Sequence, residues 1–447
     1  MQEVKLALQN NIPYSVVGKG QLRSCYAVSR LATSSVGAVG SAMSSLLVDA
    51  GLSAGPPKVM VDQRLASLWF SQSIYPLEWA LPPIWDSIAG DYKTRDGWIK
   101  LHTNLPHHKR AALSVLGVKD DRRSVASALL NWNSDQLESA IVGAGGVAAA
   151  LRSRTEWQAH PQGLAIANEP LISWSHSIQG NIPFYPMSIA RPLAGLKVLD
   201  LTRVLAGPVA TRTLAGFGAN VLRIDPPNWD EPFVVPDITL GKRCASLNLT
   251  LAKDRETFEK LLSSADVLVH GYRPDALENL GYGKAVRRQL SENLIEVSLD
   301  AYGWTGPWSQ RRGFDSLVQM SCGIAHSGMQ WAQSDKPSSL PVQALDHATG
   351  YLMAAAVIRA IQLAITGGGI KCARLSLART AELLLDYIQL DGEDLETELK
   401  QDDFLKEIEL TPWGKANRLR SPLNITDVNL QWELPANNLG TAAASWM

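Results

Sequence analysis

The hydrophobic pattern changes character near residue 190. Downstream, short runs of Val, Ile and Leu at 196–201, 219–225, 266–270 and 294–299 alternate with segments of helical character. Strands that are buried on both faces and separated by helices are typical of parallel sheets. The pattern predicts an α/β fold with a Rossmann-like, doubly wound parallel sheet in a large domain over residues 195–447.

The preceding region has a more mixed pattern. Residues 96–101 resemble a strand after a turn, and residues 121–144 have helical periodicity. These signals predict a small α+β domain over residues 88–180. A proline-rich stretch follows it and predicts a linker at 181–194.

Two apolar segments resemble each other. Residues 30–50 and 345–365 are rich in small side chains, and each is followed by a glycine-rich turn and a strand-like run. We interpret residues 1–87 as a degenerate helical linker region that partly repeats residues 340–385. Serines and glycines interrupt the first segment, so we expect a packed helix there and not a bilayer-spanning one.

Charge and cysteine usage narrow the class of protein. The chain has 447 residues with 42 basic and 43 acidic side chains, which leaves no basic surface for nucleic acid or anionic membrane. Four separated cysteines indicate neither a disulfide framework nor a metal site. The start lacks the features of a secretory signal. We expect a small-molecule partner and an intracellular, cytoplasmic location, with the mitochondrion left open.

The turn at 202–208 follows the first strand of the large domain. Ligands of open α/β sheets bind beyond the carboxyl ends of the strands, so this turn is a natural nucleotide site. It is not the glycine-rich loop of dinucleotide enzymes. Gly216 and Gly218 come at the far end of the next helix, where glycine commonly terminates helices. A nicotinamide oxidoreductase is disfavoured.

Asp346 is the main candidate for chemistry. It stands before the apolar helix predicted at 348–363, where a carboxylate can cap the helix and be held ionised. The same carboxylate, if it faces a cleft, can act as a nucleophile. We interpret His347 as a residue of the first helical turn, and the pair His107 and His108 as a surface feature.

An ordered series of short segments carries a family resemblance. It comprises residues 196–202, 206–208, 218–227, 241–243, 265–269, 273–274, 303–307, 313–315 and 346–350. Together they resemble the large domain of the class III CoA-transferase family, also called the CaiB/BaiF family. Residues 90–175 more loosely resemble its small domain, and residues 414–446 resemble its closing segment. The order of these parts differs from the family's, which suggests a fused, partly deleted duplication that forms a pseudo-dimer, or else a homodimer.

The resemblance implies an activity and a set of site residues. Asp346 falls on the family's catalytic aspartate, which passes through an aspartyl mixed anhydride and an aspartyl-CoA thioester to move CoA from an acyl-CoA to a carboxylic acid. Coenzyme A thioester is then a substrate, and no cofactor is permanently bound. Arg30 would occupy the nucleophile position of the partial repeat. The implied CoA contacts are Leu205, Ala206, Leu247, Asn248, Leu249, Thr250, Gly271, Tyr272, Arg273, Asn279, Arg312, Gly313, Phe314 and Asp315.

Some positions depart from the family's pattern, and two other functions stay open. Gly271, Asp275 and Asn279 replace usual residues, which predicts weaker phosphate binding. No glycine run matches the family's shielding loop. α-Methylacyl-CoA racemases share the fold but need a histidine where this chain has Phe314, although His347 keeps that activity open. The third possibility is a non-catalytic CoA-binding protein.

Overall fold

The computed structural model describes residues 2–180, 187–273, 276–389 and 392–446. The first six residues of the predicted linker and the departing position Asp275 lie outside these ranges. So does Pro274, the second residue of the family-like pair at 273–274.

The first part of the chain is built around one long helix. Its elements are α1 (Gln2–Leu8), β1 (Ser15–Val17), α2 (Val28–Asp49), β2 (Val59–Asp62), α3 (Gln63–Trp69) and β3 (Ile74–Pro76). Most side chains of α2 are buried. The predicted packed helix is therefore present.

The region predicted as a small α+β domain contains short strands and helices. Its elements are β4 (Gly90–Lys93), β5 (Trp98–Leu101), α4 (Pro106–Leu116), α5 (Arg122–Leu129), α6 (Ser134–Gly143), β6 (Ala148–Ala150), α7 (Arg154–Ala159), α8 (Pro161–Ala167) and β7 (Ser173–Trp174). Strands β4, β5 and β6 form an antiparallel sheet. The helical periodicity at 121–144 belongs to two helices, because the chain turns between Leu129 and Ser134.

The following region alternates strands and helices as predicted. Its elements are β8 (Lys197–Leu201), α9 (Ala206–Gly216), β9 (Asn220–Asp225), α10 (Val235–Ile238), β10 (Lys242–Ser246), α11 (Ala252–Ser263), β11 (Val267–His270), α12 (Ala276–Asn279), α13 (Lys284–Leu290), β12 (Ile295–Asp300), α14 (Asp315–Ser321), α15 (Ile324–Trp331), α16 (Ala344–Ile365), β13 (Ala373–Ser376) and α17 (Leu377–Leu385). Gly218 ends the α9 region with a φ of +103°, as the helix-terminating interpretation of this glycine predicted.

The closing segment contains a short 3₁₀ helix, η1 (Gln401–Asp403), and three strands. These are β14 (Glu409–Thr411), β15 (Gly414–Arg418) and β16 (Leu423–Ile425). Strands β14 and β15 form a small antiparallel sheet with β3 from the start of the chain. Strand pairing therefore joins the first part of the chain to the closing segment.

The main sheet has seven strands in the order β10-β9-β8-β11-β12-β13-β7. The first six run parallel to their neighbours and β7 runs antiparallel to β13. From β8 the chain builds outward to one side through β9 and β10, and then to the other side through β11, β12 and β13. The boundary between β8 and β11 is a topological switch point, where open α/β sheets form a ligand crevice at their carboxyl ends.

Helices α2, α16 and α9 pack in succession beside this sheet. The approach of α16 to α9 requires a glycine, because a Cβ at Gly350 would lie 2.4 Å from the carbonyl oxygen of Ala206. This contact holds the start of α16 against the start of α9. Both helix starts lie next to the crevice.

The two long helices share several local features. Both α2 and α16 have 22 residues, and the residues before them have nearly the same backbone angles: Ala27 has φ −75° and ψ 63°, and Gln343 has φ −78° and ψ 65°. Each long helix is followed by a strand and then by a short helix capped by a side chain, from Asp62 and Ser376 respectively. Arg30 and Asp346 are the third residues of their helices.

The strand pairings cross between the two parts of the chain. β7, which follows the small-domain region, pairs antiparallel with β13 at the edge of the main sheet. β16, from the closing segment, pairs antiparallel with β2 in the first part. Each part therefore contributes an edge strand to the other.

Helices α2 and α16 are both long and apolar enough to cross a membrane by length and composition alone, with mean hydropathies of 1.4 and 1.5 over 18 residues. The expectation that the first segment falls short of a span was therefore wrong on composition. The structure buries 89% and 83% of these stretches inside the protein. Such burial is what core helices of this composition show.

Candidate functional site

A cleft of about 370 Å³ opens at the switch point of the main sheet. The loops after β8, β11 and β12 supply one wall, and the start of α16 lies in the same cleft. The start of α4, from the small-domain region, supplies another wall. The residues that line the cleft are Leu105, His107, His108, Leu201, Arg203, Val204, Leu205, Ala206, Trp229, Gly271, Tyr272, Arg273, Ala276, Leu299, Asp300, Ala301, Ser309, Arg311, Arg312, Gly313, Phe314, Asp346 and Leu377.

Asp346 does not cap its helix, contrary to the prediction. Helix α16 begins at Ala344, so Asp346 is its third residue, and Gln343 before it supplies no side-chain cap. The cap comes from another element. One carboxylate oxygen of Asp315, at the start of α14, accepts the backbone N–H groups of Leu345 at 2.8 Å and Asp346 at 3.0 Å.

The electrostatics of Asp346 also differ from the expectation of an ionised carboxylate. Its side chain is almost entirely buried, and burial together with the charge of Asp315 raises the pKa of the carboxyl well above its ordinary value. Burial also raises the pKa of Asp315, to about 6, although its backbone hydrogen bonds act in the opposite direction. Loss of solvation outweighs the helix terminus here.

Arginine and aromatic side chains form the wall on the β8 and β11 side. The guanidinium of Arg203 lies 4.1 Å from the ring centre of Trp229 and 5.3 Å from that of Tyr272. It also donates a hydrogen bond to the Tyr272 hydroxyl at 3.0 Å. Arg273 and Arg312 line the same cleft. Guanidinium groups on this wall suit the phosphates of a nucleotide-type ligand.

The structure brings most of the predicted contact residues together. Those that line the cleft with Asp346 are Leu205, Ala206, Gly271, Tyr272, Arg273, Arg312, Gly313 and Phe314. Their grouping follows from the sheet, because the loops after neighbouring parallel strands meet at one edge. Asp315 stands behind Asp346 as its hydrogen-bonding support.

The remaining predicted contacts lie outside the cleft lining. Leu247 is buried in a hydrophobic cluster beside β10, and Leu249 packs against it. The Asn248 side-chain oxygen accepts hydrogen bonds from the backbone and hydroxyl of Thr250, which stabilises a turn after the edge strand. Asn279 is the last residue of α12. As CoA contacts these residues stay predictions.

Residues 193–401 match the sequence profile of CoA-transferase family III. Over this segment the chain is similar to CoA-transferase family III. Relatives include an acetyl-coenzyme A transferase, nodX, from Hypoxylon pulicicidum, with 38% identity over 42% of this chain and 32% of the relative. The succinyl-CoA:glutarate CoA-transferase of Homo sapiens is 34% identical over 42% of this chain and 46% of the relative.

A crystal structure of Rv3272 from M. tuberculosis is 30% identical, with a TM-score of 0.41, and the match covers 44% of this chain and 57% of that one. The probable fatty acyl-CoA transferase Rv3272 of Mycobacterium tuberculosis is 32% identical over 38% of this chain and 47% of the relative. The chain spans about a third to a half of the length of these curated relatives.

Sequence reasoning missed several residues that line this cleft or pack beside it. Phe314 stacks on His102 with ring centres 3.9 Å apart, and His108 meets the edge of the same ring system at 5.8 Å. His108 is 2% exposed and lines the cleft, so its interpretation as a surface feature was wrong. Burial lowers the pKa of both His102 and His108 to about 3.

Asp300, at the carboxyl end of β12, was also missed. Burial raises the pKa of its carboxyl well above the ordinary value, and one of its oxygens accepts the backbone N–H of Gly303 at 2.7 Å. Its location at the end of a predicted strand was the available signal. The same signal applied to Arg203, which follows β8.

His347 and Arg30 do not line this cleft. His347 lies in the first turn of α16, as predicted, and its ring stacks on Phe70 with ring centres 5.0 Å apart. It therefore packs on the side of the helix that faces α3. Arg30 is exposed, and its guanidinium lies 4.8 Å from the ring centre of Tyr387.

Proposed function

We propose that the protein transfers CoA from an acyl-CoA to a carboxylic acid, with Asp346 as the residue that carries the acyl group. The observation that carries the proposal is that the carboxyl of Asp346 lines the same cleft as Arg203, Arg273 and Arg312. The family III match over residues 193–401 supports the reaction class.

In the proposed reaction, the ionised Asp346 carboxylate attacks the thioester carbonyl, and CoA thiolate leaves as a mixed anhydride forms. The thiolate then attacks the aspartyl carbonyl of that anhydride, which releases the donor acid and leaves an aspartyl-CoA thioester. The acceptor carboxylate attacks this thioester, which expels CoA thiolate and forms a second mixed anhydride. The thiolate then attacks the acceptor carbonyl of this anhydride, which gives the new acyl-CoA and releases the Asp346 carboxylate. Covalent catalysis divides the exchange into easier steps. The buried environment keeps water from competing for the anhydride.

The burial that raises the pKa of Asp346 also makes its ionised carboxylate a stronger nucleophile. A carboxylate that is poorly solvated is more reactive than one in water, provided that it loses its proton. Arginines that bind CoA phosphates also raise the local positive potential. We infer that substrate binding and deprotonation of Asp346 are coupled.

We further propose that residues 195–447 form a Rossmann-like large domain, preceded by a small domain at 88–180 and a linker, and that the chain is a pseudo-dimer. The reciprocal pairing of β7 with β13 and of β16 with β2 supports an intertwined duplication. In this arrangement the small-domain region of the first part faces the cleft of the second. One cleft then contains the aspartate, because Arg30 occupies the matching position.

The test is covalent trapping. Purified protein is incubated with a panel of acyl-CoAs that includes acetyl-CoA and succinyl-CoA, the donors suggested by the relatives' names. Hydroxylamine is then added, and peptide masses are measured. We expect a hydroxamate on Asp346 that is absent in Asp346→Asn and retained in the exposed control Asp335→Asn. Measurable CoA binding without any adduct would contradict the proposal and favour a non-catalytic CoA-binding protein.

A racemase-like isomerase is the second candidate because His108 lies beside Phe314 in the cleft. It would need His108 and Asp346 to exchange protons with the α-carbon of an acyl group. Incubation with 2-methylacyl-CoA in D₂O tests this. Incorporation of deuterium at the α-carbon, lost in Asp346→Asn, would favour the isomerase over the transferase.

A further inference from the structure

The start of α4 lines the cleft. The helix has eleven residues, and Leu105 at its N-cap supplies no side-chain cap. Leu105, His107 and His108 all line the cleft. The first backbone N–H groups of a helix have no partner within it and carry a partial positive charge. Pro106 at the first position has no N–H, so the donors left at this helix end are the backbone N–H groups of His107 and His108.

His108 adds an independent signal at the same place. His108 is only 2% exposed, and within the described ranges neither of its ring nitrogens has a hydrogen-bond partner. Burying a polar group without a hydrogen-bond partner costs free energy of folding, and most buried polar groups in proteins have a partner. Because burial holds the pKa of His108 at about 3, the ring is neutral at pH 7 and presents one donor and one acceptor.

The surroundings of the ring fix its position. His108 meets Phe314 edge-on at 5.8 Å and lies 4.1 Å from the ring of His107, measured between ring centres. Phe314 directly precedes Asp315, which holds the backbone of Asp346. Phe314 and Asp315 therefore link the His108 ring to Asp346, the proposed nucleophile.

We propose that the first turn of α4 and the His108 ring form a subsite for the carboxylate of the acceptor acid. This inference rests on the proposed function. Backbone N–H groups at a helix start together with a ring N–H match the oxygens of a carboxylate. The guanidinium groups of Arg203 and Arg273 line the same cleft and suit the phosphates of CoA. An acid held at α4 would share this cleft with the acyl group carried by Asp346.

The first experiment measures binding without turnover. Full-length protein is labelled with ¹⁵N in its eight histidine rings, and the His108 signals are assigned by their loss in His108→Leu. Sodium acetate and sodium glutarate are then titrated. We expect saturable shifts of the His108 nitrogens with both acids and none with sodium chloride at equal ionic strength. Shifts with inorganic phosphate or CoA alone, or no shift with either acid, would overturn the proposal.

The second experiment measures the acceptor half-reaction with whichever acyl-CoA forms the Asp346 adduct. We expect His108→Leu to lower kcat/KM for the acceptor acid by about 10- to 100-fold, the usual cost of a lost hydrogen bond to a charged group. His108→Gln, which keeps a donor, should recover part of it, and His176→Leu, at an exposed histidine, should have no effect. The Kd for CoA should stay unchanged in all three variants.

The two proposals fail in different ways. If wild-type protein forms no adduct on Asp346, the transferase is contradicted, while the histidine titration still reports whether the subsite binds carboxylates. If the adduct forms but His108→Leu leaves the acceptor kinetics unchanged, the subsite is wrong and the transferase stands. Deuterium exchange at the acyl α-carbon that depends on His108 would also overturn the subsite, because the ring would then be a proton-transfer group.

Discussion

Asp315 offers a direct test of the electrostatics in the cleft. Its side chain is 2% exposed, and burial raises its pKa from the ordinary 3.8 to about 6. A carboxyl with a raised pKa binds its proton more tightly in the folded chain than in the unfolded one. The stability from that proton is complete below the unfolded pKa of 3.8 and is lost as the pH rises through about 6.

The magnitude follows from the size of this shift. About two pKa units at roughly 1.36 kcal/mol each correspond to about 3 kcal/mol. Asp315→Asn cannot ionise, and it keeps an oxygen for the N–H groups of Leu345 and Asp346. Its free energy of unfolding, relative to wild type, should therefore rise by roughly 2 to 3 kcal/mol between about pH 4 and about pH 7.5.

Urea unfolding at four pH values measures this difference, with fluorescence from the fourteen tryptophans as the signal. Asp335→Asn, at an exposed position, is the matched control and should show no pH-dependent difference. A difference for Asp315→Asn that does not change with pH would refute the reasoning. A change of opposite sign would mean that the folded state stabilises the charged form.

The same substitution has a catalytic readout. The charge of Asp315 contributes to the raised pKa of Asp346. In Asp315→Asn, the pH profile of hydroxamate formation on Asp346 should therefore shift to lower pH. An unshifted profile would mean that burial alone sets the pKa of Asp346.

Three further predictions concern the framework and the cationic wall. Lys242→Met leaves the fully buried carboxylate of Asp200 without the ammonium group that lies 3.0 Å from it. This substitution should lower the free energy of unfolding by about 3 to 5 kcal/mol, and Lys260→Met, at an exposed lysine, is the control. Gly350→Ala places a Cβ 2.4 Å from a carbonyl oxygen and should cost about 1 to 3 kcal/mol in urea unfolding, whereas Gly143→Ala, which meets nothing within 4 Å, should not destabilise. Arg203→Lys keeps the charge but loses planar stacking on two rings, so calorimetry should show about 10-fold weaker CoA binding; unchanged affinity would remove this residue from the site.

Strands β8, β9, β11 and β12 of the main sheet could be predicted because each is an apolar run. The edge strands β10 and β7 were not predicted, because their sequences are short and partly polar. The position of the cleft followed from their order along the chain. The break between α5 and α6 could not be seen from periodicity, since both helices keep one apolar face towards the same core. Periodicity reports which face is buried and does not report a short turn.

The parts of the site that escaped prediction depend on contacts between distant residues. The cap of α16 comes from Asp315, which lies 31 positions before Asp346. His108 lines the cleft where its ring packs against Phe314, which is about 200 positions away in the chain. The spacing of residues along the sequence predicts neither the contact of Asp315 with α16 nor that of His108 with Phe314.

The reciprocal pairing of β7 with β13 and of β16 with β2 has a consequence for how the protein would withstand proteolysis. A single cut between residues 180 and 187 would yield two fragments that each retain a strand belonging to the other's sheet. We expect the nicked protein to elute as one species and to separate only in denaturant. Expressed alone, each fragment would leave an unpaired strand edge and aggregate, while coexpression would restore a soluble complex.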